Sequence, residues 1–219
     1  MKKKNFKYDV LLLGHAVSDF IIDEKKIKIQ LGGIYNLYRI FKKYKFNVKA
    51  ETCKFGHAFI KIDRKNCKKI VKAKINEIAI SPKIHDCRWM HIAYANELDE
   101  EYIPIHKDTI YSVDLCKGNK ANFSRDPNYI FLSIDEHRAE DFKKNKNSTI
   151  IGHSEKEVFI FKQNKMLFRK NIDKLQNINV LGAGDALASY FIVSKLNGQT
   201  DIDSLIFSLK NVKKFLLNN

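Results

Sequence analysis

The stretch Asn179-Val180-Leu181-Gly182-Ala183-Gly184-Asp185 runs directly into Ala186-Leu187-Ala188-Ser189-Tyr190-Phe191-Ile192-Val193. Two glycines interrupt the chain, and an apolar helical pattern begins at once behind them. Glycine at such a junction lets the backbone come close to a ligand, and the first N–H groups of the following helix have no partner within it. Together with the positive end of the helix dipole they form an anion site. Asp185 falls in the first turn of that helix. A carboxylate there is a favoured cap, and taken alone it reads most simply as one. Beside an anion site it is also placed to take a proton from a hydroxyl that attacks a phosphoryl group. The rest of the chain has to decide between the two.

Val10-Leu11-Leu12-Leu13-Gly14 is a short continuous apolar run, the pattern of a strand buried on both faces of a parallel sheet. Ligands of such sheets gather at the carboxyl ends of the strands, where His15, Ser18 and Asp19 follow. Asp19 has oxygens to offer a substrate's hydroxyls, with an ordinary turn residue as the alternative. His15 reads as a strand-end histidine. Phe20 to Ile29 alternates loosely and predicts one or two short strands. The glycine pair of Leu31-Gly32-Gly33-Ile34-Tyr35-Asn36 permits close backbone approach to a small ligand, or marks a plain turn. Leu37, Ile40, Phe41 and Tyr44 then recur at helical spacing, so a helix starts near Ile34.

Asn47 to Phe55 predicts a further strand closed by Gly56, and Lys68 to Ile80 another, broken by Pro82. Trp89 to Tyr94 is the next apolar run, with Asn96 and Glu97 at its end. Glu100 to Ile105 reads as a short helix, and Thr109 to Leu115 as a strand with Asp114 near its end. Tyr129 to Ser133 and Ser148 to Gly152 are buried strands. Asp135 to Lys144 between them reads as a helix with an acidic start and a basic end, as the dipole prefers. Val158–Phe161 and Met166–Arg169 flank a polar turn as a hairpin, and Ile202 to Leu217 closes the chain as an amphipathic helix. Strands alternating with helices predict an α/β fold on a mostly parallel central sheet. A single domain over residues 1–219 is expected, with a small, reduced β-flap from segments near 20–30 and 68–80, which do not fit the alternation.

Composition bounds the function. With 219 residues, 44% of them hydrophobic and 30% charged, the chain is expected to fold around one sizeable core. No apolar run reaches membrane-spanning length, so no membrane partner is expected. The basic start Met1-Lys2-Lys3-Lys4 is followed only by the short run Val10–Leu13, unlike a secretory signal, and the expected compartment is the cytoplasm. Cys53, Cys67, Cys87 and Cys116 are scattered with no metal-ligand spacing and read as reduced thiols. The net charge of +15 is spread along the whole chain without a nucleic-acid motif. It reads as a solvated surface that steers anions such as ATP, and no nucleic-acid partner is expected.

Gly14 and Asp19 after the first strand, Gly32-Gly33 with Asn36, Ser133-x-x-Glu136 and Gly182-Ala183-Gly184-Asp185 stand in one order along most of the chain. In this order they resemble the ribokinase-like (PfkB) family of carbohydrate and nucleoside kinases, with Gly182–Asp185 and Ala186 resembling its C-terminal signature. The resemblance implies a ribokinase-like three-layer fold and an alcohol kinase using ATP and Mg2+ on a sugar or related polyol. It implies Asp185 as general base, with Gly182, Ala183 and Gly184 stabilising the transferring group. Asp19, Gly32, Gly33 and Asn36 would hold the acceptor, Ser133 and Gly152 the nucleotide, and Glu136 the magnesium. It further implies a β-flap that excludes water, and a possible homodimer through that flap. Several positions depart from the family pattern. Asn179-Val180-Leu181 replaces Asp-Thr-Thr, Ser133 replaces Asn, Asn36 comes one position early, and Gly152 is the one glycine left of the nucleotide loop. Tyr190 stands where the signature helix normally has a small residue, and the chain is shorter than typical members. A relative that binds sugar or nucleotide, or another protein, without phosphoryl transfer stays open beside the kinase, as does the choice between sugar and nucleoside.

Overall fold

The computed structural model describes residues 6–24, 26–76, 81–95, 98, 106–115, 125–137, 146–173 and 175–218. The expected helix at 100–105, most of that at 135–144, Asn96, Glu97, Cys116 and the end of the strand expected at 68–80 lie outside them. The described strands are β1 (Tyr8–Asp23), β2 (Lys26–Gly33), β3 (Val48–Asp63), β4 (Lys68–Ile75), β5 (Cys87–Ile92), β6 (Ile110–Leu115), β7 (Tyr129–Ser133), β8 (Thr149–His153), β9 (Glu157–Lys162) and β10 (Lys165–Asn171). The described helices are α1 (Ile34–Lys43), α2 (Ala183–Leu196) and α3 (Asp201–Leu217).

The strands form one sheet in the order β10-β9-β8-β7-β6-β5-β1-β3-β4, with β2 added on β1. Every pair from β3 across β1 to β8 is parallel. β9 and β10 add an antiparallel hairpin at one edge. The α/β fold on a largely parallel sheet is therefore present as the alternation predicts.

Val10–Leu13 is fully buried, as a strand covered on both faces must be. On one face Val10 and Leu12 join Phe41 of α1 and Phe191 of α2. On the other, Leu11 and Leu13 join Met90, Tyr111 and Ile130. Every residue of α2 from Asp185 to Ser194 is buried, including Tyr190, so this helix is central rather than amphipathic. α3 is capped by Thr200, whose Oγ1 accepts from the Asp203 N–H at 3.1 Å.

β1 and β3, of 16 residues each, are both longer than the sequence suggests. Gly14 ends no strand: pairing passes from Gly14↔Thr52 to His15↔Lys54, so Cys53 is the extra residue of a bulge. Gly56 does not end β3 either. A Cβ there would meet the Lys74 carbonyl of β4 at 2.5 Å, so this glycine allows close strand approach. Beyond the bulge β1 and β3 continue out of the core, with β2 and β4 on their outer sides, as a four-stranded flap. The expected flap segments at 20–30 and 68–75 belong to it, together with the unexpected second half of β3.

Candidate active site

The middle of β1 past its bulge, the carboxyl ends of β6, β7 and β8, the start of α2 and the inner face of the flap enclose a cleft of about 1190 Å³. Gly182 precedes α2 at φ 77°, ψ 11°, a left-handed conformation natural to glycine. Asp185, one turn in, is buried and lines the cleft. Its Oδ2 accepts from Asn36 Nδ2 at 2.9 Å, and its Oδ1 accepts a long bond of 3.4 Å from the Tyr94 hydroxyl. Burial raises its pKa; the bonds from Asn36 and Tyr94 and the charge of Lys69 oppose that rise.

Asp19 sits in β1 on the inner face of the flap, buried, and lines the same cleft. Its carboxylate lies over Gly32, where a Cβ would come within 1.9 Å of Oδ2. Gly33 follows at φ 60°, ψ −134°, and a Cβ there would strike the His15 carbonyl at 2.1 Å. The glycine pair therefore serves two close approaches, one to a side chain and one to the backbone. Burial, and after it the charge of Asp185, push Asp19 up to about 6, against Arg39 and Lys69.

Ser133, at the end of β7, and Glu136, in the turn after it, also line the cleft. Gly152 does not: it lies in β8, where the Phe159 ring would sit 2.2 Å from an added Cβ. Its neighbour His153 faces the cleft instead, near Gly184, and burial lowers its pKa to about 4. Of the three residues expected at an anion hole, Ala183 already donates its N–H to the Val180 carbonyl at 3.2 Å. Asn179 folds back, its Oδ1 accepting from the Leu181 N–H at 2.9 Å, and so shapes the loop rather than the cleft.

Four contributors are not assigned to the site by the sequence. Asp114, at the end of β6, is pushed up to about 8 by burial and by the charges of Asp185 and Glu136. Its strand-end place was its one signal. Tyr94 holds φ 59° and stacks on His15 at 5.9 Å, a conformation that no residue pattern announces. Lys69 is one of several lysines of β4, and only the flap's register turns it toward the cleft. Arg39 of α1 donates to Asn36 Oδ1 at 3.1 Å. Ile178, Val180, Leu209 and Val212 also line the cleft, as do Lys170 and Lys213.

No group of three or more metal-ligating side chains occurs among the described residues. Glu136 and Asp114 nonetheless bring two carboxylates to one part of the cleft. That set suits magnesium, which uses one or two carboxylates together with phosphate oxygens and water. No helix among the described residues is long and apolar enough to cross a membrane.

No protein-family model matches the sequence, and no curated protein matches it. Solved structures do. A ribokinase from Cryptococcus neoformans var. grubii serotype A in complex with ADP aligns at a TM-score of 0.65 and 12% identity, over 94% of this chain and 92% of that one. An adenosine kinase from Schistosoma mansoni in complex with 2-fluoroadenosine gives 0.65 and 11%, over 97% and 96%. A nucleoside kinase from Methanocaldococcus jannaschii, an archaeal member of the ribokinase family, gives 0.64 and 14%, over 95% and 91%. What is shared at such identities is architecture, and this chain has the ribokinase-like fold.

Proposed function

We propose that this chain is a phosphotransferase that moves a phosphoryl group from ATP to a hydroxyl of a small carbohydrate or related polyol. The observation that carries the reading is the meeting of Asp185 and Asp19 in one cleft, the first at a helix N-terminus and the second under the flap. Asp19, Asn36 and the backbone at Gly33 hold acceptor hydroxyls. Asp185 Oδ1, which accepts the long bond from Tyr94, receives the proton of the attacking hydroxyl. The first-turn amide of Gly184 faces the transferring group. Ile178, Val180, Leu209 and Val212 of the cleft lining take the adenine, Lys170 and Lys213 the phosphates, and Ser133 stands near the nucleotide. Glu136, with Asp114, would hold Mg2+, which neutralises phosphate charge when bound. The aliphatic inner face of the flap, with Ile60 and Val71, keeps water from competing as acceptor. Structures of similar fold that bind ADP or 2-fluoroadenosine support this assignment.

ATP turnover against a panel of sugars, polyols and nucleosides tests it. Asp185→Asn should lower the rate by ~10²–10⁴-fold, the usual weight of a general base. Turnover that survives this change unaltered removes the assignment.

The second reading, a relative that binds without transferring, is favoured by one observation: Asn179 and the Ala183 amide are consumed inside the loop. Calorimetry separates the two, since sugar binding without Mg·ATP binding supports the binder. A homodimer through the flap belongs to the first reading. Its outer face carries Ile29, Phe20 and Phe59 in one cross-strand row, ended by Lys72, and Ile27, Ile22, Lys61 and Ile70 in the next. Such a patch, with Ile27 75% and Ile29 65% exposed, suits a second copy.

A further inference from the structure

Asp185 meets Asn36 through the NH2 end of the amide, at 2.9 Å. The other end of the same amide, Oδ1, accepts from Arg39 Nη1 at 3.1 Å. Asn36 and Arg39 are three residues apart on α1 and share a face. Arg39 Nη2 also donates to the carbonyl of Leu31, just before the glycine pair. A planar guanidinium makes both bonds at once, and it only donates. An asparagine amide has two ends of opposite hydrogen-bonding sense. A carboxylate accepts only the NH2 end, whereas a protonated carboxyl group is satisfied by either. Arg39 therefore removes the amide orientation that a protonated Asp185 would tolerate.

We propose that Arg39 is a positioning residue of this site: by holding the Asn36 carbonyl toward itself, it presents the Asn36 NH2 to Asp185 and keeps that carboxylate ionised and aimed at the acceptor. The catalytic consequence rests on the reading of Asp185 as a base; the relay itself belongs to the protein without substrate. Among the described residues, the other charged and titratable groups whose bonds or charges reach Asp185 are Tyr94 after β5, Lys69 from β4, Asp19 from β1 and Asp114 from β6. Tyr94 and Lys69 act in the same sense as Arg39, and the two carboxylates act against it.

The test is a ¹³C-carboxyl titration of the full chain, with the Asp185 signal identified by its loss in Asp185→Asn. Arg39→Met should move that titration to higher pH, and Arg39→Lys should bring it part of the way back. In an Asn36→Ala background, Arg39→Met should add nothing, because the relay is already cut. An unmoved titration in Arg39→Met overturns the proposal. So does a shift of undiminished size in the Asn36→Ala background, which would mean a field acting through space. If Arg39→Met does not fold, Arg39→Lys with and without Asn36→Ala decides by the same criteria. Failure of the kinase reading has its own signature: Asp185 responds to Arg39, yet no acceptor is phosphorylated.

Discussion

β1 is one strand in two environments. From Val10 to Leu13 every residue is fully buried, with a helix layer on one face and apolar side chains of neighbouring strands on the other. Past the bulge at Gly14 the burial alternates: Val17, Asp19 and Ile21 are buried, while Ile22 is 41% exposed. The first half is floor and the second is flap, and the candidate site lies at the change. A floor buried on both sides fixes Asp185 through α2, whereas a flap buried on one side can carry Asp19 and Lys69 over a ligand. Rigidity on one side and access on the other come from the same extended backbone, and they differ only in what covers it.

The largest expected effect separates the halves by stability. Phe191, fully buried in α2, packs its ring on Tyr129 and Phe131 at 5.4 and 5.5 Å. Phe191→Ala should cost about 3–5 kcal/mol in chemical denaturation. Phe59, on the flap's outer face and 53% exposed, stacks on Phe20 at 5.1 Å. Phe59→Ala should cost no more than about 1 kcal/mol in dilute protein. It should also lower the sedimentation coefficient at high concentration if two copies join through this face. Equal losses at the two positions would break the distinction between floor and flap.

The floor was legible in the sequence because burial on both faces leaves continuous apolar runs, and Val10–Leu13, Tyr129–Ser133 and Ser148–Gly152 are too short for helices. Asp185 was legible because glycines and an apolar helix bracket it. The flap was half legible. Its outer residues alternate, but Gly14 and Gly56 read as strand ends, although one borders a bulge and the other a close strand approach. A glycine's local pattern is the same in all three cases; what differs is the neighbour, which lies far off in sequence. Gly152, expected at the nucleotide, lies outside the cleft lining for the same reason, since Phe159 covers it from the adjoining strand. Tyr94, Lys69 and Arg39 were invisible because each acts through register or backbone conformation rather than residue type.

A smaller effect is the pH dependence of the floor. Burial, and after it the charges of Asp185 and Glu136, push Asp114 up to about 8 in the folded chain, from 3.8 for an exposed carboxyl. A raised carboxyl pKa favours the folded protein in acid, and this contribution is lost as pH rises from about 4 to 8. Asp114→Asn removes the dependence. The variant should match the parent near pH 4 and exceed its stability on the order of 1–3 kcal/mol at pH 8. Parallel stability–pH curves for the two proteins would show that the acidic group at the strand ends is not desolvated. Saturating Mg·ATP should narrow the gap at pH 8, since a bound cation stabilises the ionised Asp114.

The smallest effect joins the two halves. Lys69 belongs to the flap, in the row Asp23–Ile62–Lys69, and is exposed, so Lys69→Met should change global stability by no more than about 0.5 kcal/mol. Its charge nevertheless favours the ionised forms of Asp19, Asp114 and Asp185. Removing a nearby cation makes a carboxylate easier to protonate, so all three should titrate at higher pH in Lys69→Met than in the parent. Asp114 is the decisive reporter, because it stands on β6 in the floor and shares no strand with Lys69. A shift at Asp19 alone would mean that the flap's charge stays within the flap. A shift at Asp114 as well requires the flap to lie over the strand ends without substrate. In that case the acceptor enters a site already roofed, and loss of Lys69 should also alter the salt dependence of its association rate.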